Sequence, residues 1–163
     1  MNLIKRRERP EVYRAEIRRK LADPLNRIIR SHRLQIYLLV KSGFMIKTRR
    51  SIEYLGCSPA SLKQHLESQF KPGMTWDNYG SIWHVDHIFP LRPPKTHSLD
   101  LKDPNVCARL FSYRNLRPMF GKENLSKSNK IIQELVSLPF VTELSSSTES
   151  SANLDKEIAR RLA

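Results

Sequence analysis

From Pro10 to about Leu21, Val12, Ile17 and Leu21 form a thin apolar stripe, while Arg14, Arg18 and Arg19 lie elsewhere on the surface: the pattern of a basic amphipathic helix. Asp23-Pro24 then restarts the chain, a capping residue followed by proline at the first helical position, and Leu25, Ile28 and Ile29 open a new apolar face. This second helix is predicted to run to about Lys41, with Gly43 in the C-terminal capping position. Its segment Ile36-Tyr37-Leu38-Leu39-Val40 is apolar enough to predict packing on more than one side. Ser58-Pro59 repeats the cap-plus-proline signal. Leu62, Leu66 and Phe70 follow at helical spacing through Gln69, until Pro72-Gly73 ends the element. His65 falls inside this helix and reads as structural.

The periodicity then shortens. Asp77-Asn78-Tyr79-Gly80 has turn chemistry, and Ser81 to Ile88 carries the β-branched and aromatic content of a strand. After Pro90 a loop of about twenty residues is expected, containing Pro93, Pro94 and Pro104 and long enough to be functional or to hide a short element. Phe111 to Leu116 is the expected second strand. A helix is expected from Glu123 to Leu138, with Leu125, Ile131, Ile132, Leu135 and Val136 as its apolar positions and Pro139 as its end. Ser145 to Ser151 reads as a flexible linker, and Leu154 to Leu162 as a short amphipathic tail. No internal repeat is present. The expected class is α+β, divided into a basic helical extension packed on the core (1–52), the core (53–138) and the linker with its tail (139–163).

Composition narrows the function classes. At 163 residues and 39% hydrophobic, the chain suits one ordinary domain or a small core with an extension. No run approaches the roughly 18 apolar residues of a membrane span, and Met1 to Arg7 is not followed by the apolar region of a secretory signal. The expectation is an unsecreted, cytoplasmic protein with no membrane partner. Cys57 and Cys107 are the only cysteines, too few and too far apart for a disulfide scaffold or a thiolate zinc site. The net charge of +13 is uneven: residues 1–60 hold 15 basic and 5 acidic side chains, residues 61–135 hold 11 and 7, and the remainder 3 and 4. That asymmetry points to a polyanion, nucleic acid first, because each cation set on a phosphate releases condensed counterions.

The candidate chemistry lies in Trp83-His84-Val85-Asp86-His87-Ile88-Phe89-Pro90-Leu91, where an imidazole stands beside a hard oxygen ligand near the end of the predicted strand. On a regular strand Asp86 and His87 point to opposite sides, whereas His84 and Asp86 share one. Both residues can face one site only where the strand bends or ends, and the same alternation makes His84 a rival ligand or phosphate contact. Two further blocks follow, Asn115-Leu116-Arg117-Pro118 and Glu123-Asn124-Leu125-Ser126-Lys127.

In these three ordered blocks the chain resembles the HNH endonucleases of the ββα-metal superfamily, in particular standalone members common in phage and mobile elements. The resemblance spans roughly residues 54 to 131, since Tyr54-Leu55-Gly56-Cys57-Ser58, His65-Leu66-Glu67 and Phe70 to Trp76 also look like the segment preceding the nuclease motif. It implies a ββα-metal core and assigns His87 as general base, Asp86 as first metal ligand and Asn124 as second, an H-N-N variant. An imidazole with a pKa near 6.5 is largely neutral at about pH 7.5 and can accept a proton from water. Asn115 matches the middle position, whose amide ties down the loop carrying the base. Lys127, on the helix face of Asn124, matches a basic position near the scissile phosphate. Lys130 extends that face, and Arg117, with Arg14, Arg18 and Arg19, is expected on DNA.

The resemblance further implies one divalent cation, Mg²⁺ or Mn²⁺, since one carboxylate and one amide leave most of the coordination sphere to water and phosphate oxygens. Many family members flank the last block with CxxC pairs. Phe120 and Glu123 stand there in this chain, so no structural zinc is expected and packing around Trp76 and Trp83 must replace it. The implied activity is hydrolysis of DNA phosphodiester bonds by a monomer or homodimer, in a bacterial host cytoplasm if phage-encoded. The alternatives are a structure-selective junction resolvase and a non-catalytic DNA-binding module.

Overall fold

A computed structural model describes residues 9–92 and 99–132. The expected linker at Ser145–Ser151, the tail at Leu154–Leu162 and the last turns of the expected helix to Leu138 lie outside the described residues. The architecture is α+β.

Helices α1 (Pro10–Ala22) and α2 (Pro24–Lys41) abut at Asp23, whose carboxylate accepts from the Leu25 N–H at 2.9 Å and so supplies the cap that opens α2. Such a cap contributes about 1 kcal/mol. Gly43 follows the end of α2 with φ +75°, a conformation that disfavours any residue with a Cβ. No residue of α1 is buried, whereas α2 buries Ile28, Ile29, His32, Ile36 and Leu39 along one face. Tyr37 and Leu38 are exposed, which corrects the expectation of packing on several sides: the spacing fits a single stripe.

A 3₁₀ turn (Glu53–Leu55) leads to α3 (Pro59–Glu67), capped by Ser58 accepting from the Ser61 N–H at 3.1 Å, with Leu62 and Leu66 fully buried. Strands β1 (Trp83–His87) and β2 (Leu116–Phe120) form an antiparallel pair in the register Trp83↔Phe120, Asp86↔Arg117 and His87↔Leu116. The second strand therefore begins at the end of the expected Phe111–Leu116 segment, the rest of which is a turn at the buried Phe111 and a 3₁₀ turn (Tyr113–Asn115). Pro118 does not prevent the strand, because in a two-stranded sheet each strand keeps an outer edge that needs no donor. The expected long loop contains α4 (Pro104–Leu110), whose N-terminus repeats the aspartate-proline signal: Asp103 accepts from the Asn105 N–H at 2.7 Å. Helix α5 (Gly121–Lys127) begins directly after β2 and ends well before Leu138.

Two clusters make the core, one around Ile36, Tyr54, Phe89, Leu110 and Phe111, the other around Ile28, Leu62, Leu66, Trp83 and Leu116. Helix α2 feeds both, so it is part of the packed body, while α1 sits outside it. Trp83 is completely buried among Phe70, Trp76 and Tyr79, and its indole N–H donates to the Thr75 carbonyl at 2.6 Å. This aromatic knot fixes the strand that carries Asp86 and His87. Among the described residues no helix is long and apolar enough to cross a membrane.

Candidate functional site

Side chains alternate along β1, so Asp86 shares a face with its cross-strand partner Arg117, while His87 shares the other with Val85 and Leu116. Helix α5 covers the first face and α2 lies against the second. Asp86 and His87 nevertheless line one cleft of about 540 Å³, together with Gln35, Leu39, Pro90, Asn124 and Lys127. The strand ends at His87 and has an open outer edge, and there both faces become accessible from one side.

Asn115 makes that strand end rigid. It is fully buried, its Oδ1 accepts from the Phe89 N–H at 2.7 Å, and its Nδ2 donates to the carbonyls of Phe89 (2.9 Å) and Leu110 (2.8 Å). Its backbone carbonyl also accepts from the Ile88 N–H at 2.8 Å. Three bonds thus clamp the two residues that follow His87 onto the entrance of β2, and the fourth ties Asn115 to the end of α4.

Asp86 is 5% exposed and carries a cation on each oxygen: Lys127 Nζ lies 2.8 Å from Oδ1 and Arg117 Nε 3.0 Å from Oδ2. Lys127 Nζ also donates to the His87 carbonyl at 2.7 Å. Two buried charges, Asp86 and Lys127, and the partly buried Arg117 therefore sum to one positive. Arg117 and Lys127 are thus engaged inside the protein, whereas Lys130 is exposed and lies beyond the end of α5. Arg14 and Arg18 line a separate shallow cleft of about 620 Å³ between α1 and α2, with Tyr13, Ile17 and Arg30; Arg19 is exposed in the last turn of α1.

The His87 ring holds its Nε2 buried with no hydrogen-bond partner, and its pKa is lowered to about 3 by burial first, then by repulsion from His32 when that ring is protonated and from the Lys127 ammonium. It is a neutral imidazole at physiological pH. His84 shares the Asp86 face but is directed elsewhere: its Nε2 lies 3.2 Å from the Gly80 carbonyl, and a Cβ on Gly121 would stand 3.4 Å from its Cε1. It does not line the cleft of Asp86. His65 bonds the Leu116 carbonyl at 2.8 Å and packs edge-on to Tyr113, a structural post under β2.

One site residue went unsuspected in the sequence. His32, buried on α2, donates through Nε2 to the Phe111 carbonyl at 2.8 Å and lines a small cavity of about 80 Å³ with His87, Ser31 and Gln35. Its signal was positional: it stands four residues from both Ile28 and Ile36, on the apolar stripe of α2.

The donor set can be tested against a divalent cation. Asp86 Oδ1 and the His87 carbonyl already converge on a cation, the Lys127 ammonium, and Asn124 lines the same cleft. These are hard oxygens of the kind that suit Mg²⁺ or Mn²⁺. Among the described residues no group of three or more His, Cys, Asp or Glu side chains gathers at one point. Cys107 lies on the buried face of α4, its thiol donating to the Leu101 carbonyl at 3.1 Å, and does not line this cleft.

Comparison with known proteins finds similarity to two uncharacterized proteins of Acanthamoeba polyphaga mimivirus. One is 34% identical over 110 residues, covering 68% of this chain and 44% of the relative. The other is 34% identical over 115 residues, covering 71% and 47%. The chain thus spans less than half the length of the curated relatives it matches. No protein-family profile and no solved structure matches it.

Proposed function

We propose that the protein is a divalent-metal-dependent DNA endonuclease with an HNH-type ββα-metal core, His87 acting as general base and Asp86 and Asn124 as metal ligands. The observation that carries this reading is the clamp of Asn115 on Ile88 and Phe89, which sets the end of β1 so that His87, Asp86, Asn124 and Lys127 share one cleft. These residues come from three segments of the chain and match the three blocks of the resemblance.

In this reading His87 takes a proton from the attacking water. Burial that holds its pKa down to about 3 keeps the imidazole neutral but also disfavours the protonated form, so in this reading an approaching phosphate anion has to raise its basicity before transfer. Asn115 acts through position, holding the ring while the proton moves. Mg²⁺ or Mn²⁺, held by Asp86 and Asn124, would supply stabilisation of the charge that develops on the phosphate oxygens. Arg117 keeps the Asp86 carboxylate turned toward the cleft. The basic residues of α1, with the overall +13 charge, give sequence-independent attraction to the DNA backbone.

A non-catalytic DNA-binding module is the second reading. The full ion pairing of Asp86 by Arg117 and Lys127 favours it, since a purely structural charge cluster has that form. Supercoiled plasmid with Mg²⁺ or Mn²⁺ separates the two. Nicking by the wild type, with nicking lost and DNA binding retained in His87→Ala, supports the nuclease; DNA binding without cleavage under either metal supports the module.

A further inference from the structure

Lys127 has a placement that DNA contact does not explain. A lysine beside a nucleic-acid cleft ordinarily extends its ammonium into solvent. The side chain of Lys127 is 4% exposed, and its Nζ sits between Asp86 Oδ1 at 2.8 Å and the His87 carbonyl at 2.7 Å. A divalent ion bound through Asp86 in this cleft would have to approach the same oxygen. Arg117 holds the other carboxylate oxygen from β2 and can stay, but a third cation beside the ammonium would face unscreened repulsion in a buried setting.

The backbone next to Lys127 supplies a second observation. Ser128, which follows it, has φ +52°, and it is the only non-glycine at positive φ among the described residues. Residues other than glycine hold such a conformation only where their surroundings enforce it. Lys127, anchored at Asp86, is one such constraint.

We propose that Lys127 is a tethered cation that occupies the metal-binding oxygen of Asp86 in the resting protein and gives it up to a divalent ion, its ammonium then moving into the cleft where a DNA phosphate would lie. The proposal rests on the metal-nuclease reading and adds a regulation to it: metal entry and release of the phosphate-binding lysine are one event. Metal-free protein keeps its cleft lysine locked away.

Mn²⁺ binding, followed by calorimetry and by the loss of the free-ion paramagnetic resonance signal, tests this without reference to cleavage. Lys127→Met should bind Mn²⁺ roughly ten- to a hundredfold more tightly than wild type, the range expected when one charge-assisted hydrogen bond to the ligand oxygen is removed. Asp86→Asn should abolish the binding in either background. Equal or weaker binding by Lys127→Met, with wild type still binding through Asp86, overturns the competition and leaves the metal reading standing. Absence of binding in both proteins overturns the metal reading and the proposal with it. A second measurement needs no variant: in ¹⁵N-lysine-labelled wild type, Mg²⁺ should shift the protected Lys127 ammonium signal toward that of a solvent-exposed lysine. A signal unmoved at Mg²⁺ saturation overturns the proposal.

Discussion

Replacing Asn115 with alanine removes one side chain and leaves three backbone groups without partners: the Phe89 N–H, the Phe89 carbonyl and the Leu110 carbonyl, bonded to it at 2.7, 2.9 and 2.8 Å. Phe89 and Leu110 are fully buried, so water reaches these groups only through the space the amide vacates. An orphaned buried polar group costs roughly 1–3 kcal/mol, and a water admitted to the vacated space recovers part of it, so the expected loss is about 3–5 kcal/mol. That is a large share of the ~5–15 kcal/mol that holds a domain together. At a slope of roughly 2 kcal/mol per molar urea, the unfolding midpoint should fall by about 1.5–2.5 M. The fluorescence of Trp76 and Trp83 reports the transition. A loss below about 1 kcal/mol would show that the three groups are solvated elsewhere and that Asn115 does not set the strand end. Asn115→Asp sharpens the test, because it keeps the acceptor but turns an oxygen toward two carbonyls. Burial and those carbonyls raise the new carboxyl's pKa in the folded state, so this variant should lose stability as pH rises above the ordinary carboxylate range.

Two further outcomes follow from the same geometry. His32 has its pKa lowered by burial, which outweighs the raising effect of the Phe111 carbonyl, with Arg33 lowering it further. The unfolded chain therefore takes up the proton first: stability is full above about pH 6.5 and is lost as pH falls below it. His87 adds to the trend in the same sense. His32→Gln should flatten the fall in urea midpoint between about pH 7.5 and about pH 5, and parallel profiles for variant and wild type would remove His32 from the account. For DNA binding, replacing Arg14 and Arg18 together by glutamine should lower the slope of log affinity against log salt by about 2. An unchanged slope would place α1 off the DNA.

The parts of the fold that were legible in the sequence are those that local chemistry decides. Asp23-Pro24 and Ser58-Pro59 marked the starts of α2 and α3 because cap and proline act within one turn. Asp103-Pro104 carries the same signal, and α4 is the short element that the expected long loop could hide; only seven helical residues follow, too few for a clear apolar period. β2 lies later than the expected Phe111–Leu116, and its Pro118 is a weak strand signal that only the two-stranded sheet accommodates. Asp86, His87, Asn115 and Asn124 were legible as candidates through the resemblance of their three blocks to the HNH pattern. The ion pairs of Asp86 with Arg117 and Lys127 were not, since nothing in the order of residues tells an inward-facing cation from a solvated one.

Four of the five helices among the described residues open on a proline: Pro10, Pro24, Pro59 and Pro104. Each stiffens the denatured chain at a place where the native backbone already suits it, contributing roughly 0.4–1 kcal/mol through states the unfolded chain cannot visit rather than through any native contact. The exception is α5, which starts at Gly121, runs for seven residues and stops at the strained Ser128. The proline device is thus present at the start of α2 and α4 and absent from the helix that carries Asn124 and Lys127. The denatured chain around Gly121 is correspondingly less restricted than at the other four helix starts.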